Sequence, residues 1–315
     1  MVSNNNYSLP PGTQLENYQL TSVLNVGGFS IVYLGIDQSN GAKVVIKEYM
    51  PFKLAMRNAD LQVVNTSDET FGNFNEGRKL IFQEANALLK LKHPNIVNVT
   101  NFFTANNTVY IVMDYRKGEN LQSCIRKYPQ GLSETLIRTI FPPLLDGLRM
   151  VHNVGLLHLD IKPGNIHLLP GGQPLLLDFG AVHRTQMSRQ HQPASVVTIG
   201  FSPVEQYEPN GYFGPWTDIY AIGATIRACI EGKPPPHAIH RREKDTLRPA
   251  TQVHKKKYSQ SLLHAIDWSM EVDPTLRPQT VEAFLTAFNQ EDRLVANGGE
   301  VSVFERIANH IPWLK

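Results

Sequence analysis

The stretch Gly155–Leu169 constrains this chain more than any other part of its sequence. It reads GLLHLDIKPGNIHLL, so short apolar runs flank a polar segment that contains a proline and a glycine. This pattern predicts a rigidly supported loop that exposes functional groups. Asp160, Lys162 and Asn165 lie in the loop, and the asparagine follows the aspartate by five positions. The loop is therefore a candidate site, and its chemistry depends on the partners that the rest of the chain supplies.

Length and composition indicate an ordinary globular protein. The 315 residues suffice for two units with sizeable cores. Hydrophobic residues make up 42% and charged residues 18%, and the net charge of +2 is too small to indicate nucleic-acid binding. No apolar run approaches the ~20 residues that span a bilayer. The N-terminus lacks the pattern of a secretory signal. We expect a cytoplasmic protein, with delivery into another cell left open, and Cys124 and Cys229 as buried thiols.

The N-terminal third has the pattern of an antiparallel sheet. Residues 1–17 are rich in Asn, Pro and Gly and are predicted to be a flexible tail. Tyr18–Leu24, Ile31–Ile36 and Ala42–Lys47 are then predicted to be strands, because β-branched and aromatic residues alternate along them. The first two strands are joined by a link with a glycine pair, Gly27-Gly28. Such a link can bring backbone N–H groups close to a phosphate.

The next segment predicts a connection followed by a helix. Residues 48–75 are predicted to be a long insertion, and residues 77–92 a helix with apolar residues at three- and four-residue spacing. Glu84 lies on the apolar face of this helix. A carboxylate there is costly unless it meets a cation or remains at the wet rim. Ile96–Phe103 and Val109–Tyr115 are predicted to be two further strands.

The remaining segments predict a helical region around the loop. Leu132–Val154 is predicted to be a helix with Ser133 as N-cap, which Pro142-Pro143 should kink or interrupt. After the loop, a predicted hairpin ends in Asp178-Phe-Gly180, 18 residues beyond Asp160. Three further motifs follow: GFSPVE at 200–205, WTDIYAIG at 216–223 and DPTLRP at 273–278.

Together, in this order from Tyr18 to Phe288, these motifs resemble the bacterial (eukaryotic-like) serine/threonine protein kinases. The sequence departs from the family pattern at Asn25 and Ser30, where the Gly-rich loop has glycines, and at Leu159, where the catalytic loop has an arginine. The resemblance implies an α+β, bilobal protein-kinase fold: an N-lobe with an antiparallel sheet and one helix, a mainly helical C-lobe, and ATP between them. It places the N-lobe at 18–113 with the insertion 48–75, the hinge and C-lobe at 114–288, and a C-terminal extension at 289–315.

The resemblance also implies the catalytic residues. Asp160 would accept or orient the proton of the substrate hydroxyl, and Lys162 would stabilise the transferring phosphate. Thr198 would bond both of them. Lys47 would bind the α- and β-phosphates, with Glu84 fixing its position.

The resemblance further implies the residues that bind ATP and metal. Asn165 and Asp178 would hold Mg²⁺, with Mn²⁺ as an alternative ion, because a hard cation needs oxygen ligands. His167 would lie under the adenine, where a leucine is common. The full predicted ATP set is Leu24, Gly27, Gly28, Val32, Val45, Lys47, Met113, Asp114, Tyr115, Asn120 and His167.

Three residues are expected to act structurally. Glu205 and Arg277 would form an ion pair, and Asp218 would hold the backbone of the catalytic loop. Leu159 carries no charge for a phosphate to neutralise, so we expect that phosphorylation of the segment after Asp178 is not the main on-switch.

Three functions agree with these motifs. The first is a protein serine/threonine kinase acting on Ser/Thr hydroxyls of protein substrates. The second is a pseudokinase that serves as an ATP-binding or scaffolding module, and the third is a small-molecule phosphotransferase of kinase-like fold. Neither nucleic acid nor a membrane is expected as a partner. A regulatory partner could act through 48–75 or through 289–315, where Val301–Trp313 is amphipathic.

Overall fold

Two units of different architecture make up the part of the chain that the computed structural model describes, residues 7–178, 183–184 and 197–290. The first unit contains residues 7–92 and 97–116, and the second contains 93–96 and the described residues from 117 onward. The first unit extends to Arg116, whereas the predicted N-lobe ended at 113. The described helices include none that is long and apolar enough to cross a membrane.

The first unit is built on a six-stranded antiparallel sheet of β1 (Gln14–Leu15), β2 (Tyr18–Val26), β3 (Ser30–Asp37), β4 (Lys43–Tyr49), β7 (Val99–Ala105) and β8 (Thr108–Asp114). The strand order in the sheet is β1-β2-β3-β4-β8-β7. Alternate residues of the strands are buried on one face, where Tyr33, Ile46 and Val112 are fully inaccessible. Lys47 lies on the opposite face, because successive side chains of a strand point to opposite sides.

The prediction of a flexible tail is wrong for residues 7–17. Leu9 and Leu15 are buried in the hydrophobic core of the first unit. The backbone N–H of Leu9 donates to the Tyr33 hydroxyl at 3.0 Å, and β1 pairs with β2. Burial of two leucines stabilises this segment by several kcal/mol, at about 1.5–3 kcal/mol per side chain, and that gain outweighs its polar composition.

The predicted insertion also contains regular structure. Strands β5 (Ala55–Arg57) and β6 (Val63–Asn65) form a hairpin. Helix α1 spans Asp68–Leu88, so it begins well before the predicted start at Gly77. The Thr70 hydroxyl accepts from the backbone N–H of Ser67 at 3.1 Å, which satisfies a donor at the helix start.

The second unit is mainly helical. The Ser133 hydroxyl accepts from Leu136 N at 3.3 Å and caps α3 (Glu134–Asn153) as predicted. The predicted interruption of α3 is wrong, since one helix runs through Pro142 and Pro143. The helix buries neighbouring apolar residues on both sides of the prolines, and this packing offsets their cost. The helices are α2 (Leu121–Lys127), α3 (Glu134–Asn153), α4 (Pro215–Glu231), α5 (Ala238–Glu243), α6 (Ala250–Val253), α7 (Gln260–Ser269) and α8 (Val281–Phe288).

Short strands support the candidate loop. Strand β10 (Leu156–Leu157) precedes the loop and pairs with β13 (His183–Arg184). Strand β11 (Ile166–Leu168) follows it and lies between β12 (Pro174–Leu176) and β9 (Glu119–Asn120). The loop is thereby fixed at both ends. Phe179, Gly180 and the amphipathic stretch Val301–Trp313 lie outside the described residues.

Candidate active site

The backbone of the catalytic loop is held by a buried carboxylate on α4. Asp218 accepts from the backbone N–H of His158 at 2.9 Å and from that of Leu159 at 2.8 Å. Its Oδ2 atom also lies 2.8 Å from His152 Nε2. Burial opposes ionisation, but His152 and His158 outweigh it, and the pKa of Asp218 is below its usual range. The contact that the resemblance implied is therefore present, and His152 is an additional partner that sequence reasoning missed.

Asp160 lies at the centre of a cluster of donors. Lys162 Nζ is 2.9 Å and 2.7 Å from its two carboxylate oxygens. The Thr198 hydroxyl donates to Oδ1 at 2.8 Å, and Asn165 Nδ2 donates to Oδ2 at 2.9 Å. Asn165 Nδ2 also donates to the backbone oxygen of Asp160 at 2.8 Å. The cluster fixes the orientation of the Asp160 carboxylate and stabilises its charge.

Thr198 is itself positioned by a turn. Its backbone oxygen accepts from the N–H groups of Phe201 and Ser202, at 3.0 Å and 2.9 Å. Its own N–H donates to the Ser202 hydroxyl at 3.0 Å, and Lys162 Nζ lies 3.2 Å from the Thr198 hydroxyl. The turn thus presents one hydroxyl to both charged groups of the loop.

The two predicted metal ligands are brought close by the hairpin that follows the loop. The backbone N–H of Leu177 donates to the Asn165 carbonyl at 2.8 Å, and Asp178 comes next in the chain. Asp178 has a φ of 58°, a left-handed conformation that is unusual for a residue other than glycine. Because the amide NH₂ of Asn165 is bonded to Asp160, its amide oxygen is turned to the other side. An amide oxygen and a carboxylate are suitable donors for a hard divalent cation.

Leu159, the residue that replaces the arginine of the family pattern, is buried, and its side chain has apolar contacts. It is 3% exposed and packs with Leu157 and Phe213. Its φ is 59°, also in the left-handed region. The carbonyl of Leu159 accepts from Gln206 Nε2 at 2.8 Å. This contact was missed by sequence reasoning, although Gln206 directly follows the predicted structural residue Glu205.

The predicted ion pair between Glu205 and Arg277 is present. Arg277 donates to the two carboxylate oxygens at 2.7 Å and 3.1 Å, with both side chains nearly inaccessible. Arg277 also donates to the backbone oxygens of Glu271 and Val272, at 2.7 Å and 2.9 Å. The Thr217 hydroxyl donates to Glu205 at 3.1 Å. These bonds offset the desolvation of both charges and fix the 3₁₀ helix Val204–Tyr207.

In the first unit, several predicted ATP residues share one face of the sheet. In the strand register Val32 is opposite Lys47, and Val45 is opposite Met113. All four are partly buried. Glu84 is buried on α1, which packs against β7 and β8. The pairing of Lys47 with Glu84 stays a prediction.

The glycine-containing link is bonded to the segment that follows β4. The carbonyls of Gly28 and Phe29 accept from the backbone N–H groups of Phe52 and Met50, at 3.2 Å and 2.9 Å. A Cβ atom at Gly28 would meet nothing within 4 Å, so packing within the protein does not require a glycine there. Leu24 is 49% exposed at the end of β2.

The end of β8 carries the predicted hinge residues. Asp114 accepts from Asn98 Nδ2 at 2.9 Å, and its own N–H donates to the Asn98 carbonyl at 3.1 Å. Tyr115 is exposed, with the Lys43 ammonium 5.9 Å from its ring centre. The backbone at Asp114 is therefore held by Asn98, the residue before β7, whereas the Tyr115 side chain is exposed.

Asn120 and His167 lie on neighbouring strands of the second unit and are directly opposite in the register. The Asn120 side chain accepts from Ser123 N at 2.8 Å and caps α2, a structural role that accounts for this residue without a ribose contact. His167 is partly buried on β11. A Cβ atom at Gly118 would lie 2.3 Å from the Leu168 carbonyl oxygen and 2.7 Å from His167 Nε2. The backbone of Gly118 thus lies so close to β11 that no side chain fits at this position.

Comparison with known proteins defines the class. The model of the protein kinase domain family matches residues 18–288. The chain belongs to this family, whose members use ATP and a divalent metal ion. A solved structure titled PpkA-294 apo form is 33% identical, with a TM-score of 0.77, and the match covers 90% of this chain and all of that one. The predicted family and α+β fold class are confirmed.

The chain is also similar to curated serine/threonine-protein kinases. Serine/threonine-protein kinase D of Synechocystis sp. (strain ATCC 27184 / PCC 6803 / Kazusa) is 31% identical over 297 residues, which are 91% of this chain and 54% of that protein. Serine/threonine-protein kinase PLK4 of Nematostella vectensis is 28% identical over 226 residues, which are 71% of this chain and 21% of that protein. The chain spans about half the length of the first relative and about a fifth of the second.

Proposed function

We propose that this chain is a protein serine/threonine kinase that transfers the γ-phosphoryl group of ATP to hydroxyl groups of protein substrates. The observation that carries the proposal is the cluster around Asp160. A carboxylate that accepts from Lys162, Thr198 and Asn165 is held in one orientation, as a group that must accept or direct a proton requires.

Phosphoryl transfer is mainly a matter of positioning and of neutralising charge on the transferring group. Asp160 receives the hydrogen bond of the acceptor hydroxyl and orients its oxygen toward the phosphorus. Lys162 lies within 3 Å of that carboxylate, so its ammonium is placed to neutralise charge on the γ-phosphoryl group. Thr198 holds both side chains and does not itself react.

Asn165 and Asp178 are the residues that would hold Mg²⁺. Their oxygens suit the ion, and the Asn165 amide orientation set by Asp160 turns its oxygen away from the proton acceptor. When bound, the ion neutralises charge on the ATP phosphates. The orientation of Asn165 would thus link a bound ion to the position of Asp160.

The residues of the first unit are assigned to ATP. Lys47 would pair with the α- and β-phosphates and with Glu84, while Val32, Val45 and Met113 would contact the adenine. Lys47, Val32, Val45 and Met113 share one face of the sheet, and this placement supports their assignment. The contact of His167 with the adenine, which the resemblance implied, stays a prediction.

The proposal is tested by following radiolabel from γ-labelled ATP to three acceptors: a protein rich in Ser and Thr, the same protein with Tyr as its only hydroxyl residue, and a small alcohol. We expect label on Ser and Thr of the first acceptor only, and loss of transfer when a chelator removes divalent ions. Preferential transfer to the small alcohol would instead identify a small-molecule phosphotransferase. Transfer to none of the three would favour the scaffolding alternative.

A further inference from the structure

Gln206 makes a buried hydrogen bond that the catalytic scheme above does not use. The residue is 2% exposed and lies in the 3₁₀ helix Val204–Tyr207. Its Nε2 atom donates to the carbonyl of Leu159 at 2.8 Å. Leu159 directly precedes Asp160, so this bond joins the 3₁₀ helix to the residue next to the proton acceptor.

The position of Gln206 is fixed by the residue before it. Glu205 forms the buried ion pair with Arg277 and accepts from Thr217. Two adjacent side chains of one turn therefore extend in different directions, Glu205 to Arg277 and Gln206 to Leu159. The ion pair fixes the turn, and the hydrogen bond of Gln206 joins the turn to the catalytic loop.

Leu159 needs to be held. Its φ of 59° lies in the left-handed region, which is unfavourable for a residue that has a Cβ atom. Its N–H is bonded to Asp218, its carbonyl to Gln206, and its side chain packs against Leu157 and Phe213. Relief of the strain requires rotation about the N–Cα bond of Leu159, which would move the Leu159 carbonyl away from Gln206 and turn the Asp160 carboxylate away from Lys162 and Thr198.

We infer that Gln206 is a positioning residue for the catalytic loop, acting through Leu159 to hold Asp160 in its working orientation. The inference rests on the proposed function and adds an uncharged link from the Glu205–Arg277 ion pair to the reacting groups. A neutral amide needs no opposing charge. Gln206 and the apolar contacts of Leu159 thus keep the loop in place without the arginine of the family pattern.

The test compares Gln206→Met with wild type in steady-state transfer to the Ser/Thr protein. Methionine keeps the length and volume of the side chain but cannot donate, which leaves the buried Leu159 carbonyl without this bond. We expect kcat to fall about tenfold, or about 1.4 kcal/mol in the barrier, with the KM for ATP changed less than twofold. Gln173→Met is the matched control: Gln173 is exposed and donates to the Pro94 carbonyl at 3.4 Å. Its kcat should equal that of wild type.

The fraction of folded protein is measured for each variant by its unfolding curve. Gln206→Glu is the second variant, since an ionised carboxylate of nearly the same shape cannot donate. A loss of kcat beyond the loss of folded protein, in each variant that folds, supports the inference. Unchanged kcat in a folded variant, or a loss that only follows the folded fraction, overturns it. An inactive wild type overturns the proposed function and this inference together, whereas an active wild type with a fully active Gln206→Met overturns the inference alone.

Discussion

The guanidinium of Arg57 lies 2.6 Å from the carboxylate of Glu48, and the side chains are 3% and 0% exposed. Glu48 also accepts from the hydroxyls of Tyr33 and Tyr110, at 2.8 Å and 2.5 Å. Burial and the Glu48 charge raise the pKa of both tyrosines well above the usual value, so both hydroxyls remain donors. Glu48 directly follows Lys47 on β4 and points to the other face of the sheet. The cluster therefore joins the β5–β6 hairpin to the strand that carries the predicted phosphate-binding lysine.

Arg57→Met should destabilise the protein strongly, because it leaves the Glu48 charge buried without its cation. We expect a loss of about 3–5 kcal/mol in the free energy of unfolding, measured with urea. Arg149→Met is the control, since the pair of Arg149 with Asp146 is exposed and should cost about 0–1 kcal/mol. Similar small losses in both variants would show that the buried pair does not stabilise the fold.

His167→Leu should leave turnover intact and tighten ATP binding modestly. Leucine adds apolar contact at the proposed adenine side, whereas histidine is polar and can be charged at low pH. The measurement is the Kd for ATP together with kcat. A decrease of kcat by more than about tenfold, or about 1.4 kcal/mol, would contradict the assignment.

Phosphorylation of the segment after Asp178 should not be the main on-switch. The triple variant Thr185→Ala, Ser188→Ala, Ser195→Ala should keep most of the wild-type rate, because the buried, apolar Leu159 has no charge for a phosphate to neutralise. The positive control is Thr198→Ala, which removes a bond to Asp160 and should slow transfer about tenfold or more. Near-complete inactivity of the triple variant would refute the prediction.

Stability should depend on pH through Glu134 at the start of α3. Burial opposes its ionisation, but bonds from Ser259 and Arg138 outweigh it, and the pKa lies below its ordinary value of 4.5. The folded pKa is below the unfolded one, so this contribution is complete above about pH 4.5 and is lost as the pH falls through the folded value.

Glu134→Gln should therefore lower the urea midpoint near pH 7 but have little effect at about pH 3. Glu282→Gln is the control, since this glutamate is also in the first turn of a helix but is largely exposed. A loss for Glu134→Gln that is equal at both pH values would contradict the assigned role.

The order of motifs in the sequence predicted the fold class, the contacts of Asp218 with the loop backbone, and the ion pair of Glu205 with Arg277. These contacts involve residues of recognisable sequence motifs, which can be identified in a single sequence. Ser133 was predicted as an N-cap because its signal is local. The start of α1 was missed because residues 68–75 are polar and include Gly72, so they lack an apolar period.

Contacts between distant residues that belong to no recognisable motif could not be predicted. In the sequence, Glu48 begins the predicted insertion 48–75, yet one of its bonds is to Tyr110, 62 residues away. The composition of residues 1–17 likewise hides the burial of Leu9 and Leu15. Gln206 gave no signal of its own, because an amide that donates to a backbone carbonyl leaves no spacing pattern.

The central claim is that Asp160 directs the acceptor hydroxyl, and its most direct test is label transfer from ATP to a generic Ser/Thr protein by wild type and by Asp160→Asn. Asparagine keeps the shape of the side chain but cannot accept the proton. The account predicts that the variant still binds ATP and that its kcat falls at least a hundredfold, or by about 2.7 kcal/mol in the barrier. Equal incorporation by the two proteins would contradict it.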